Sequence, residues 1–116
     1  MTDSMYPKPS RALAEKRAAL APESEAAFRQ SSEAVFRYGA LPRKTKQLIA
    51  VAVAHVTQCP YCINGHTKAA TRDRATPAEI MEAIWVAAEM RAGGAFAHAA
   101  LALDTLESLG AQGKQT

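Results

Sequence analysis

The residues best able to do chemistry lie together in Cys59-Pro60-Tyr61-Cys62-Ile63-Asn64-Gly65-His66, which holds both cysteines of the chain and one of its three histidines. Proline suits a first helical position, so Pro60 predicts a helix start with Cys59 as its cap. Residues 59, 62 and 66 then follow an i, i+3, i+7 pattern and share one helix face. Two thiols one turn apart can close a disulfide when the local geometry is right. An imidazole one turn beyond Cys62 can stabilise its thiolate, the species that attacks peroxides and disulfides. One sulfur would take a peroxide oxygen and become a sulfenic acid, and the second would condense with it.

Other readings of the same residues stay open at this point. His55, Cys59, Cys62 and His66 form H-x3-C-x2-C-x3-H, enough ligands for zinc. His55 precedes the helix break, however, so a tetrahedron closes only if that break turns favourably. The bland reading is two buried cysteines packed as small hydrophobes beside an ordinary histidine. His55 lies inside an apolar run and reads first as a satisfied core histidine. Glu82 and Glu89 are seven apart on one helix face; Glu82 reads as a solvated or subunit-facing residue. Glu89, beside Trp85 and Ala88, is a candidate buried carboxylate.

The elements that must position this motif are helical. Residues 1–9 carry Ser4, Pro7 and Pro9 without periodicity and read as a loose arm. Ser10 caps a first helix to about Leu20, and Pro22 starts a second to about Tyr38, with Gly39 as a left-handed stop. Pro42 opens a third helix to about Thr57 whose second half is apolar nearly all round, which puts it at the centre of a bundle. The fourth runs from the cysteine motif to about Arg72. Thr76, Pro77 and Glu79 form the start signal of a fifth. Gly93-Gly94 is expected to break it, leaving a sixth helix from Ala95 to Leu109 that stops at Gly110, with 111–116 a frayed tail. The expectation is one all-α domain over residues 10–110, a bundle of about six helices.

Composition narrows the function classes. The 116 residues are 48% hydrophobic but only 6% aromatic, and alanine-rich faces leave a thin core that favours a helical oligomer. The net charge of +3 is dispersed, with Arg43, Lys44 and Lys46 the one tight group. No basic stripe interleaves with aromatics, which argues against nucleic-acid binding. No signal peptide is visible, and the apolar run Leu48 to Ala54 is too short to span a bilayer. The expected setting is therefore a reducing cytoplasm, where CxxC signals redox or metal chemistry rather than a structural staple.

From about Leu41 to His98 the chain resembles the carboxymuconolactone decarboxylase superfamily, specifically its AhpD-like alkylhydroperoxidase branch. The resemblance rests on Leu-Pro-Arg-Lys-Thr-Lys-Gln-Leu-Ile-Ala-Val-Ala-Val-Ala, Cys-Pro-Tyr-Cys-Ile-Asn-Gly-His and Ala-Thr-Pro-Ala-Glu-Ile-Met-Glu-Ala-Ile, in that order. It implies an all-α fold assembled as trimers or hexamers, and a thiol-dependent peroxide reductase without an organic cofactor, re-reduced by a dithiol partner protein. It also implies that Cys62 is peroxidatic, Cys59 resolving, and His66 an aid to deprotonation. The helix macrodipole, in contrast, favours Cys59 as the more acidic thiol.

Two departures from the family pattern stand out. Where the resemblance leads to a relay glutamate, this chain has Gln47, which can orient a histidine but cannot accept a proton near neutral pH. His66 alone, His55 or Glu89 must then take the proton, or the pair serves mainly in thiol–disulfide exchange or binding. Arg74 stands where relatives often have a helix-ending glycine, which predicts a less comfortable left-handed turn.

Overall fold

The computed structural model describes residues 5–115, which form five helices and no strand. These are α1 (Arg11–Leu20), α2 (Pro22–Phe36), α3 (Arg43–Thr57), α4 (Pro60–Arg72) and α5 (Pro77–Gln115). Residues 1–4 of the expected arm, and Thr116 of the expected tail, lie outside the described residues. Residues 5–10 have no regular structure but are anchored: Tyr61 Oη donates to the Pro7 carbonyl at 2.6 Å, and Tyr6 meets the Tyr61 ring edge-on at 5.9 Å.

Local signals explain most of the boundaries. Ser10 Oγ accepts the Leu13 N–H at 3.1 Å and caps α1. Thr76 and Glu79 form a reciprocal capping box ahead of α5: Thr76 Oγ1 accepts the Glu79 N–H at 3.1 Å, and Glu79 Oε1 accepts the Thr76 N–H at 2.8 Å. Arg74 adopts φ 71°, the left-handed turn expected of it. Gln58, at φ 56° and ψ 47°, is a second left-handed residue; it ends α3 and sends the chain back into α4.

Three expected helix ends are corrected. Gly39 does not stop α2 in a left-handed turn, since no glycine has positive φ; α2 ends at Phe36 and Arg37 is extended. Gly93-Gly94 does not break α5, which is continuous from Pro77, so the expected fifth and sixth helices are one. A helical glycine costs about 1 kcal/mol relative to alanine, and the alanine- and leucine-rich flanks offset that cost. Gly110 likewise lies within α5, which continues through Gln115.

The core is small. α3 packs between α4 and α5 and also touches α2, while α1 packs on α2. Val51, Ala70 and Ala75 are buried, with Leu48, Ile80 and Ile84 against them. The radius of gyration is 21.0 Å, where a compact domain of this length would have about 13 Å. At 1.5 Å per residue, α5 accounts for most of the 66 Å long axis. No described residue of α5 beyond Ala87 is buried, and Phe96, Leu101, Leu106 and Leu109 lie open.

Candidate active site

The motif sits at the start of α4, where the backbone does much of the positioning. Cys59 is the N-cap, in extended conformation, and Pro60 occupies the first turn, where its missing N–H costs nothing. The Cys59 sulfur accepts the Cys62 N–H at 3.2 Å and so takes the place of a serine or aspartate cap. Both cysteines are free thiols of intermediate exposure.

This arrangement divides the two sulfurs electrostatically. The Cys62 side chain, donating to the Cys59 sulfur, holds the Cys59 thiol below its ordinary range, and the Cys62 backbone N–H adds to the effect. The Cys62 thiol is pushed up in turn, first by that same side-chain hydrogen bond, then by burial and by the neighbouring charge on Cys59. One sulfur therefore tends to carry the charge and the other the proton, with Cys59 the more acidic.

The imidazole is held on two sides. His66 Nδ1 lies 2.8 Å from Gln47 Oε1. An amide oxygen can only accept, so Nδ1 carries the hydrogen and Nε2 of the neutral ring keeps a lone pair. Gln47 is the one buried polar side chain among the described residues, reached because Gln58 folds α4 back along α3. Phe36, at the end of α2, stacks on the other side, with ring centroids 5.2 Å apart and planes 24° from parallel. Lys46 secures that helix end by donating to the Val35 and Arg37 carbonyls at 2.8 and 2.6 Å.

Cys62 and His66 line a groove of about 550 Å³ together with Val35, Phe36, Lys46, Ile49, Ala50, Val53, Ala54 and Thr57. Cys59 is not among the lining residues, so the pair presents Cys62 to the apolar space. The other candidate relay residues stand apart. His55 donates from Nδ1 to the Val51 carbonyl one turn back at 2.8 Å. Glu89, expected as a candidate buried carboxylate, is exposed on α5, and its side chain has no hydrogen bond or ion pair among the described residues. His55 does not join Cys59, Cys62 and His66 in a ligand set: among the described residues no three His, Cys, Asp or Glu side chains are grouped to hold a metal ion. Spacing alone did not reveal Phe36, whose ring reaches His66 from thirty residues upstream; its position just before the connection at 37–42 was the only available signal.

The model of the carboxymuconolactone decarboxylase family matches residues 22–105, from the start of α2 to deep in α5. The chain belongs to the carboxymuconolactone decarboxylase family. Among relatives of this family member, an uncharacterized protein encoded in the cox locus of Paracoccus denitrificans is 59% identical over 109 residues, covering 94% of this chain and 97% of that one. A solved structure from Methanobacterium thermoautotrophicum superposes with TM-score 0.67 at 35% identity, covering 71% of this chain and 92% of that chain. A carboxymuconolactone decarboxylase family protein from Legionella pneumophila gives TM-score 0.65 at 35% identity, covering 68% and 70%. No helix among the described residues is long and apolar enough to cross a membrane.

Proposed function

We propose that this family member is a thiol-dependent hydroperoxide reductase of the AhpD-like kind, working without an organic cofactor. The observation that carries the reading is the joint placement of Cys62 and His66 on one groove, with Cys59 capping the same helix turn. His66 Nε2 takes the Cys62 proton, giving a thiolate and an imidazolium whose Nδ1–H stays on Gln47. The Cys62 thiolate attacks the outer peroxide oxygen, the O–O bond breaks, and the imidazolium protonates the departing alkoxide: Cys62 becomes a sulfenic acid and ROH leaves. The more acidic Cys59 then attacks the Cys62 sulfur, and hydroxide leaves and is protonated to water as the disulfide forms. A dithiol partner protein reduces the disulfide by exchange and is itself oxidised.

The acidity order suits this division. A resolving Cys59 is needed as a thiolate, while a groove-facing Cys62 draws on His66. Gln47 supports a proton shuttle through His66 alone, since it fixes the ring without taking a proton. The large radius and the open apolar side chains of α5 support a homo-oligomer, with the trimer or hexamer of the resemblance as the specific form. The reducing cytoplasm is the compartment that suits a catalytic CxxC.

One observation favours a second reading. The Cys59 sulfur, acidic and partly exposed at a helix N-terminus, also suits entry into thiol–disulfide exchange, with peroxide reduction minor. Turnover of an organic hydroperoxide under a dithiol reductant separates the two. Under the main reading, Cys62→Ser abolishes it; wild-type turnover in that variant would remove Cys62 from the attacking role.

A further inference from the structure

The three basic residues in the first turn of α3 are not treated alike. Arg43 Nε lies 3.7 Å from Asp73 Oδ1, and Lys44 Nζ lies 3.0 Å from Glu79 Oε2. Lys46, two residues on, has no carboxylate partner among the described residues. Its ammonium gives two hydrogens to the Val35 and Arg37 carbonyls, which leaves a third donor and the whole charge uncompensated by an anion. The Lys46 side chain lines the same groove as Cys62 and His66, whose remaining walls are almost entirely apolar, including Phe36, Ile49 and Val53, and its ammonium sits where the Val35 and Arg37 carbonyls hold it. The volume, about 550 Å³, falls within the range of small-molecule sites.

An apolar trough lined both by the reactive cysteine and by a lysine with no carboxylate partner is complementary to an amphipathic anion. We propose that the groove takes hydroperoxides bearing an apolar chain and a carboxylate, the chain lying on Ile49 and Val53 and the carboxylate pairing with Lys46. The carbonyls that hold Nζ also fix its position, so the ion pair forms without ordering a free lysine chain. The inference rests on the peroxide-reductase reading for its chemistry, but the anion site can be measured without it.

The test uses the reduced full-length protein at low salt, with octanoate and octanamide as probes of equal length and different charge. Calorimetric titration should show octanoate binding about fivefold tighter, the ratio given by ~1 kcal/mol for a partly exposed ion pair. Lys46→Met should bring that ratio to about one, and Lys46→Arg should keep it. Because each variant is compared with itself across two ligands, a general loosening at the end of α2 does not imitate the effect. Equal binding in the wild type, a preference that survives Lys46→Met, or no saturable binding of either ligand overturns the proposal. Turnover is then compared for linoleate hydroperoxide and its methyl ester, both below their micellar concentrations, with the acid expected to have the higher kcat/KM. An octanoate preference without turnover of any hydroperoxide would refute the reductase reading and leave the anion site standing. Turnover with no preference for the acid would do the reverse.

Discussion

Gln47→Glu puts a carboxylate where the amide now holds the imidazole, and its effect can be worked from one contact. The Gln47 Oε1 to His66 Nδ1 distance is 2.8 Å, and position 47 is 7% exposed. A neutral hydrogen bond contributes about 1 kcal/mol net and one between charged partners about 1.5–3 kcal/mol. The substitution should therefore favour the imidazolium by roughly 1–1.5 kcal/mol more than the amide does, close to a tenfold change in an equilibrium constant. Because a Cys62 thiolate is formed together with that imidazolium, the reactive thiolate fraction near neutral pH should rise about tenfold. The assay is the rate of Cys62 alkylation by iodoacetamide in a Cys59→Ser background, followed from pH 5 to 9, with and without Gln47→Glu. The carboxylate variant should react faster at the lower end of that range, and the two profiles should converge where the thiol ionises unaided. Superimposable profiles, or slower alkylation throughout, would refute the claim that Gln47 and His66 control the charge state of Cys62.

Further outcomes follow from the same geometry. Cys59→Ser should stall the cycle at the Cys62 sulfenic acid, trapped as a dimedone adduct after one equivalent of hydroperoxide; the wild type should give the disulfide and little adduct. Arg74→Gly should raise Tm by relieving a side chain at φ 71°, a net gain of about 0.5–1 kcal/mol after the greater freedom of unfolded glycine is counted. Thr76→Ala should cost about 1 kcal/mol through loss of the α5 cap, read by chemical denaturation. The Glu79 carboxyl is held below its ordinary range, first by the Thr76 N–H and then by Lys44. Its contribution to stability is thus present above the unfolded carboxyl pKa and lost as pH falls through the lower folded value. Glu79→Gln should therefore be less stable than wild type at pH 7, and the gap should close in acid.

Where a structural feature depended on adjacent residues, it was legible in the chain. Pro60 after Cys59, and Thr76 before Pro77 and Glu79, satisfy the first free N–H groups of their helices with no help from distant residues, and both starts are as expected. The left-handed turn at Arg74 was readable from the resemblance, which leads to a helix-ending glycine at that position. Gly39 and Gly93-Gly94 misled because glycine permits a turn without requiring one. Around residues 93–94 the helix-forming flanks prevail, and nothing lies near either glycine for an added Cβ to meet. Gln58 gave no warning, since glutamine has no preference for the left-handed region; the geometry of the α3–α4 return imposes it. At the site, spacing placed Cys59, Cys62 and His66 on one helix face, and the resemblance pointed to position 47. The Phe36 stack and the apolar groove depend on how α2 meets α3 and α4, which no local pattern encodes. The acidity order of the sulfurs needed the Cys62 side chain and, after it, the Cys62 N–H to be seen donating to the Cys59 sulfur, although the helix dipole had indicated its direction.

The central claim is that Cys59 and Cys62 act as one peroxide-driven dithiol. The most direct measurement counts free thiols before and after one equivalent of an organic hydroperoxide, with mass analysis of the peptide that spans the motif. Both thiols should disappear together, the peptide should lose two hydrogens as an internal Cys59–Cys62 disulfide, and a dithiol should restore it. Two thiols still free after the hydroperoxide has been added, or a stable Cys62 sulfenic acid with Cys59 untouched, would contradict the claim.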